Sequence, residues 1–331
     1  NLDFLSGDVS PDRSVYSAAF QARCMALQGK SWDLMSWGLI PVNIALNEGK
    51  AIYTPKPIEQ LKQEAAEVIA MGGGFQVYFR QNRDGSFQQS HSLEALEELA
   101  KFCRERQAFS HKNTIIPQVG IWYSSKGWKE KNNSEWKIYG SSFVPNLKGI
   151  FNLLLEGGNS VEILMDHHLI KKLDEYPVIV VPEWETLDTA MNDRLVNYVK
   201  NGGNLLIIGA KAVQNYKNFS GVEFENDIVS KVDLIIGDKK SESMVAFKTN
   251  WQPVVPKLNT EIIGEIYNQV DFKYSTNYPV ATINRLGNGK IGAVYMDFSP
   301  AYDQYSNPFY HNILNKLLHR LSADLIKIEG T

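Results

Sequence analysis

The stretch NSVEILMDHHLIKKLDEYPVIVVPEWETLDTAMNDRLVNYVKNGGNLLIIGA, residues 159–210, decides the fold class. It reads as a strand at 161–165, a second at 177–182, a helix at 189–200 and a third strand at 204–209, with Gly202 and Gly203 turning the helix back into the sheet. PVIVVP and LLIIG are short unbroken apolar runs, the pattern of parallel strands buried on both faces. Between them Leu187, Met191, Leu195, Tyr198 and Val199 share one side of the helix. Glycine just beyond it suits the left-handed turn that ends a helix. Strands and helices in this order give an open, parallel α/β unit.

Residues 1–112 repeat a simpler pattern three times. Strand candidates at 2–7, 32–39 and 75–81 are each followed by a helix, near 12–28, 58–71 and 92–107. Val15, Ala19, Ala22 and Ala26 recur at helical spacing in the first, Leu61, Ala65, Val68 and Ile69 in the second, and Leu93, Leu96, Leu99, Ala100 and Cys103 in the third. Such βα repeats imply a parallel sheet covered by helices. A closed (β/α)8 barrel needs eight units. The three present read as the last part of one, with the remaining strands expected in residues that precede this chain.

The loop PEWETLD (182–188) and the return YVKNGGNLLIIG (198–209) resemble the glutamine-amidotransferase-like domain that follows the catalytic barrel in family 42 β-galactosidases and related glycoside hydrolases, α-L-fucosidase types included. KPIEQLKQEAAEVIAMGGGFQVYF (56–79) resembles the final helix and strand of such barrels. The resemblance covers most of the chain and rests on pattern, without a diagnostic catalytic motif. It implies an α/β chain in which a partial TIM-barrel end, 1–112, precedes a flavodoxin-like, class I glutamine-amidotransferase-like domain, 113–321, with 322–331 opening a further domain or tail. It also implies a glycosidase acting on an oligo- or polysaccharide, whose second domain supports a homo-oligomer.

At 331 residues and 44% hydrophobic, the chain can bury two cores. A formal charge of −3, with no long Lys/Arg block, argues against nucleic acid or an anionic membrane as partner. No apolar run reaches the roughly 20 residues of a membrane span. Two cysteines, Cys24 and Cys103, sit in helical patterns and read as structural thiols, so they do not fix the compartment. No cofactor is implied. The run Gly72-Gly73-Gly74 precedes a strand, whereas a nucleotide loop precedes a helix.

In the second domain, 114–117 reads as the linker, 119–123 as a strand, 124–138 as a polar loop and 143–156 as a helix. Beyond Ala210, short strands are expected at 222–236, 244–248, 261–267, 280–285 and 290–296. Gly287-Asn288-Gly289 joins the last two as a hairpin, and a helix at 308–321 closes the domain.

Barrel enzymes work at the carboxyl ends of their strands. That rule selects Asp8, as acid, base or acceptor for a sugar hydroxyl, with an Asx-type cap of the loop Asp8-Val9-Ser10-Pro11 as the alternative. Trp37 offers either an aromatic platform or a core side chain. Strand alternation lets Tyr78 with Arg80, or Phe79 with Gln81, line the site, but not all four. Arg83-Asp84-Gly85 reads as a plain turn. Asp33, at the start of its strand, is placed on the stability face. Glycoside hydrolysis uses two carboxylates, roughly 5 Å apart for retention or 6.5 to 9.5 Å for inversion, and the partner of Asp8 is expected in the preceding strands, so that the chain alone would be inactive.

A glutamine amidotransferase needs a nucleophilic cysteine at the turn after the strand LLIIG. Gly209-Ala210-Lys211-Ala212 stands there and the domain has no cysteine, which excludes thiol amidotransfer. Glu183 and Glu185, flanking Trp184, read as a cap for the next helix or as ligand contacts. His167 and His168 read as a solvated strand end whose rings point apart.

Overall fold

A computed structural model describes residues 2–10, 13–43, 51–87, 92–131 and 144–323. The chain forms two compact units, one of residues 1–116 with 139–141 and one of 117–138 with 142–331. The starts of the expected helices at Asp12 and Phe143, the far part of the polar loop and most of the tail after Ser322 lie outside the described residues.

In the first unit, β1 (Phe4–Asp8), β2 (Ser31–Trp37) and β5 (Gly74–Tyr78) form a parallel sheet in the order β1-β2-β5. The register pairs Ser6 with Asp33, Asp8 with Met35 and Trp37 with Tyr78. Helices α1 (Ser14–Ala26) and α2 (Ile58–Ala70) cover one face, where Val9, Ala18, Ala22, Trp32, Leu34 and Val68 form a core. Helix α3 (Ser92–Ser110) packs on α2. A second core gathers Leu39, Leu61, Ala65, Phe79 and Leu99. Among the described residues the three-stranded sheet stays open, and no barrel closes.

An antiparallel hairpin, β3 (Leu39–Asn43) and β4 (Ala51–Pro55), stands between β2 and α2. The simple strand–helix reading missed it. Its first strand carries Pro41, which a two-stranded ribbon tolerates at its edge but which weakens any strand signal in the sequence.

The second unit centres on a nine-stranded sheet. Strands β6 (Val119–Tyr123), β7 (Val161–Met165), β8 (Val178–Val181), β9 (Asn204–Ile208) and β16 (Gly289–Val294) are parallel in the order β7-β6-β8-β9-β16, a doubly wound arrangement. Every residue of β8 is buried, as are Leu205 to Ile208 of β9, because helices lie on both faces. Helix α7 (Thr189–Lys200) contacts β9 and β16. Helices α5 (Pro145–Glu156), α8 (Ser299–Tyr305) and α9 (Phe309–Leu321) pack together, and α9 reaches the same strands. Asp188 caps α7 by accepting from Met191 N at 3.0 Å. Leu187, Met191, Leu195, Tyr198 and Val199 are all buried, as their spacing predicts.

Antiparallel strands β15 (Ser275–Leu286), β14 (Glu261–Tyr267), β11 (Val229–Asp238) and β12 (Ser243–Trp251) extend the sheet beyond β16, and β10 (Val222–Phe224) pairs separately with β13 (Val254–Pro256). The stretch 222–236 is therefore two strands. The β15–β16 hairpin turns at Gly287, whose φ of 61° favours glycine.

Two further corrections concern helices. The polar loop begins with α4 (Ser125–Lys131), and 166–172 is α6 (Asp166–Lys172). His167 and His168 occupy its first turn with ring centroids 3.9 Å apart, so they do not diverge. Neighbours on a helix are about 100° apart around the axis, whereas on a strand they face opposite ways.

A buried ion pair ties the first unit together. Lys56 Nζ donates to Glu64 Oε1 at 2.9 Å, Glu64 is fully buried, and Ser14, Ser36 and Gln60 all donate to the same carboxylate. Removing one partner strands the other charge without water. Glu64→Gln is expected to lose about 3 to 5 kcal/mol of unfolding free energy in urea melts, with Lys56→Met/Glu64→Leu recovering most of the loss.

Candidate functional site

The register of the three-stranded sheet places Phe4, Ser6, Asp8, Asp33, Met35, Trp37, Gln76 and Tyr78 on the face that α1 and α2 leave uncovered. Polar residues dominate its middle. Ser6 Oγ donates to Asp33 Oδ1 at 2.6 Å, and Gln76 Nε2 donates to Asp33 Oδ2. Asp33 is buried at the third position of β2 with both oxygens engaged.

At the carboxyl ends of the strands three of the expected residues meet. The Trp37 and Tyr78 rings are 5.6 Å apart, tilted by 56°. Tyr53, from β4, joins them at 6.4 Å from Trp37, and the Arg80 guanidinium carbon lies 4.4 Å above the Tyr53 ring. Tyr78, Arg80 and Gln81 are exposed while Phe79 is buried in the second core. Trp37 is half-buried. Asp8 ends β1 on the same face, exposed, and no hydrogen bond reaches its carboxylate among the described residues.

Tyr53 is the member that sequence reasoning missed. It lies on the unread hairpin, and only its aromatic character could have drawn notice. Its anchor is local. Gly38 N donates to Tyr78 O at 2.8 Å, which pins the start of the hairpin to β5, and Lys56 N donates to Gly38 O at 2.9 Å, which ties its end to its start.

Other candidates are structural. Arg83-Asp84-Gly85 is a turn in which Ser86 donates through N and Oγ to Asp84 Oδ1, at 3.0 and 2.7 Å, and the Ser86 hydroxyl holds the Asp84 carboxyl below its ordinary range. Burial pushes the Cys103 thiol up, away from a reactive thiolate. Glu183 Oε1 accepts from Phe298 N at 2.7 Å and Ser299 N at 2.6 Å, so it caps α8 rather than the next helix, α7. Glu185 pairs with Lys211 at 2.6 Å. At the turn Gly209-Ala210, Gly209 has φ 117° and Ala210 N donates to Asp297 Oδ1 at 3.0 Å. Among the described residues no group of three or more His, Cys, Asp or Glu is placed to hold a metal ion.

A family described as GLMA-like, second domain, matches residues 147–218, which lie in the second unit. No curated protein matches the chain. Solved structures match nearly all of it at low identity. A GH42 β-galactosidase from G. stearothermophilus, studied as a catalytic mutant, is 14% identical with a TM-score of 0.69, over 94% of this chain and 47% of its own. The α-L-fucosidase isoenzyme 2 of Paenibacillus thiaminolyticus is 13% identical with a TM-score of 0.70, over 97% and 50%. The exo-β-1,4-mannosidase Op5Man5 from Opitutaceae bacterium strain TAV5 is 13% identical with a TM-score of 0.63, over 98% and 60%. The chain has a glycoside-hydrolase-like fold. It spans about half the length of the first two of these structures.

Gly38 is the position on which this edge depends most directly. A Cβ there would lie 2.4 Å from the Phe79 ring, which core packing prevents from moving aside. Gly38→Ala is expected to lose about 1 to 3 kcal/mol in thermal unfolding and to shift the Trp37 indole N–H resonance in solution NMR.

Proposed function

We propose that this chain is the carboxyl-terminal part of a glycoside hydrolase, in which the open sheet 1–112 is the end of a (β/α)8 barrel and 113–321 is a non-catalytic, amidotransferase-like domain that serves structure and homo-oligomerisation. The observation that carries the reading is the meeting of Trp37 and Tyr78 at the carboxyl ends of parallel strands, with Arg80 over the neighbouring Tyr53 ring and an exposed Asp8 on the same face at the level of Met35. Aromatic rings present a flat apolar surface with polar edges, which suits the alternating C–H and hydroxyl character of a pyranose. The glycosidase folds of the matched structures support the same reading.

In this proposal an oligo- or polysaccharide lies against Trp37 and Tyr78, and Asp8 handles the proton at the glycosidic oxygen or at the attacking water. Hydrolysis requires a second carboxylate. Asp33 is poorly suited to that role, since Ser6 and Gln76 occupy both its oxygens and burial keeps it from substrate. The partner therefore comes from outside the described residues. The competing reading, a carbohydrate-binding or assembly module without catalysis, draws on the same fact, because a face with one available carboxylate can bind a sugar without cleaving it.

Aryl-glycoside assays on the full-length native gene product separate the two. If Asp8 is the acid or base, Asp8→Asn lowers kcat by about 10²- to 10⁴-fold with little change in sugar binding. Unchanged kcat in Asp8→Asn removes that role, and a native protein that binds sugars but cleaves none establishes the module.

A further inference from the structure

We propose that the sugar held at the carboxyl ends of β2 and β5 bears an anionic substituent, a carboxylate or a sulfate, and that Arg80 receives it. The inference rests on the sugar-binding reading above and adds the substrate class. Arg80 is exposed, two residues beyond Tyr78 on the same side of the chain. Tyr53 supports its guanidinium at 4.4 Å. A guanidinium stacked by its face keeps its N–H edge for a ligand, and that edge is a planar fork matching two oxygens of a carboxylate or sulfate.

Nothing nearby neutralises this charge. Among the described residues Arg80 forms no ion pair, and the carboxylate four residues on, Asp84, is held by Ser86. Asp33 is held by Ser6 and Gln76. Asp8 stands two strands away across β2 and, level with Met35 and Gln76, four residues short of Arg80 along the strands, roughly 16 Å at ordinary strand geometry, so an anion at Arg80 need not sit against it. A neutral sugar packed on Trp37 and Tyr78 would cover the guanidinium without matching its charge, and covering an unpaired charge is unfavourable. An acidic sugar converts the same burial into a charge-assisted, bidentate contact.

The test is calorimetric titration of the full-length native protein with three probes, galactobiose, digalacturonate and a 6-sulfated galactobiose, while the indole N–H resonance of Trp37 is followed by NMR. Wild type is expected to bind at least one acidic probe about tenfold or more tightly than galactobiose. Arg80→Gln should abolish that preference, so that acidic and neutral probes bind the variant with equal affinity, whereas Arg80→Lys, which keeps the charge but loses the fork, should retain part of it. Preference for digalacturonate assigns a uronic acid, and preference for the sulfated probe assigns a sulfated sugar. Equal binding of neutral and acidic probes in wild type, or a preference that survives Arg80→Gln, overturns the anionic substrate while leaving the sugar-binding face intact. If no probe binds or moves the Trp37 resonance, the sugar-binding reading falls and this inference with it.

Discussion

A parallel strand presents two faces, and each must be covered by apolar partners or made polar. The two units of this chain answer that constraint differently. In the second, β8 and β9 are apolar on both faces and helices lie on each side, so the centre of the sheet is closed to solvent. In the first, Leu5, Trp32, Leu34 and Phe75 face α1 and α2, while the opposite face carries Ser6, Asp8, Asp33 and Gln76. Its polarity is organised. Ser6, Asp33 and Gln76 satisfy one another across three strands, and the aromatic residues gather at the carboxyl ends.

Behind that face, the Lys56–Glu64 pair makes the arrangement specific. Ser36, which donates to Glu64, immediately precedes Trp37, and Lys56 immediately follows β4, the strand that carries Tyr53. One buried carboxylate thus fixes the end of β2, the exit of the hairpin and the start of α1 through Ser14. Buried ion pairs contribute little net stability compared with apolar packing, but they tolerate few alternative geometries. The rings at the strand ends inherit that definition from a network they do not touch directly.

The sequence made the parallel strands and long helices legible because their periodicity is strong. PVIVVP, NLLIIG and the apolar stripe of α7 leave no competing reading, and α7 occupies the span that its pattern predicts. Short elements escaped where local composition opposes the final state. The β3–β4 hairpin carries Pro41, α4 is only seven residues long and carries Gly127, and α6 has two histidines at its start, so tertiary packing rather than propensity decides each of them. The strand-end positions were legible in the same proportion. Asp8, Trp37, Tyr78 and Arg80 follow from the rule that barrel chemistry sits at strand ends, whereas Tyr53 depends on a hairpin fold-back that no period encodes. Asp33 is structural, as its place near the start of β2 suggested, but its partners on β1 and β5 are distant in sequence and no local pattern names them.

The turn after β9 shows why a doubly wound sheet need not bring amidotransferase chemistry. A nucleophile elbow works when a reactive side chain stands at the turn and nearby backbone N–H groups stay available to an oxyanion. Here the strained glycine remains, with Gly209 at φ 117°, but Ala210 replaces any nucleophile and its N–H already donates to Asp297 Oδ1. Asp297 is held in turn through Oδ2 by Asn250, and Glu183 spends Oε1 on the first N–H groups of α8. Carboxylates of the chain itself occupy the donors that a substrate carbonyl would need. That edge is fastened by its own side chains.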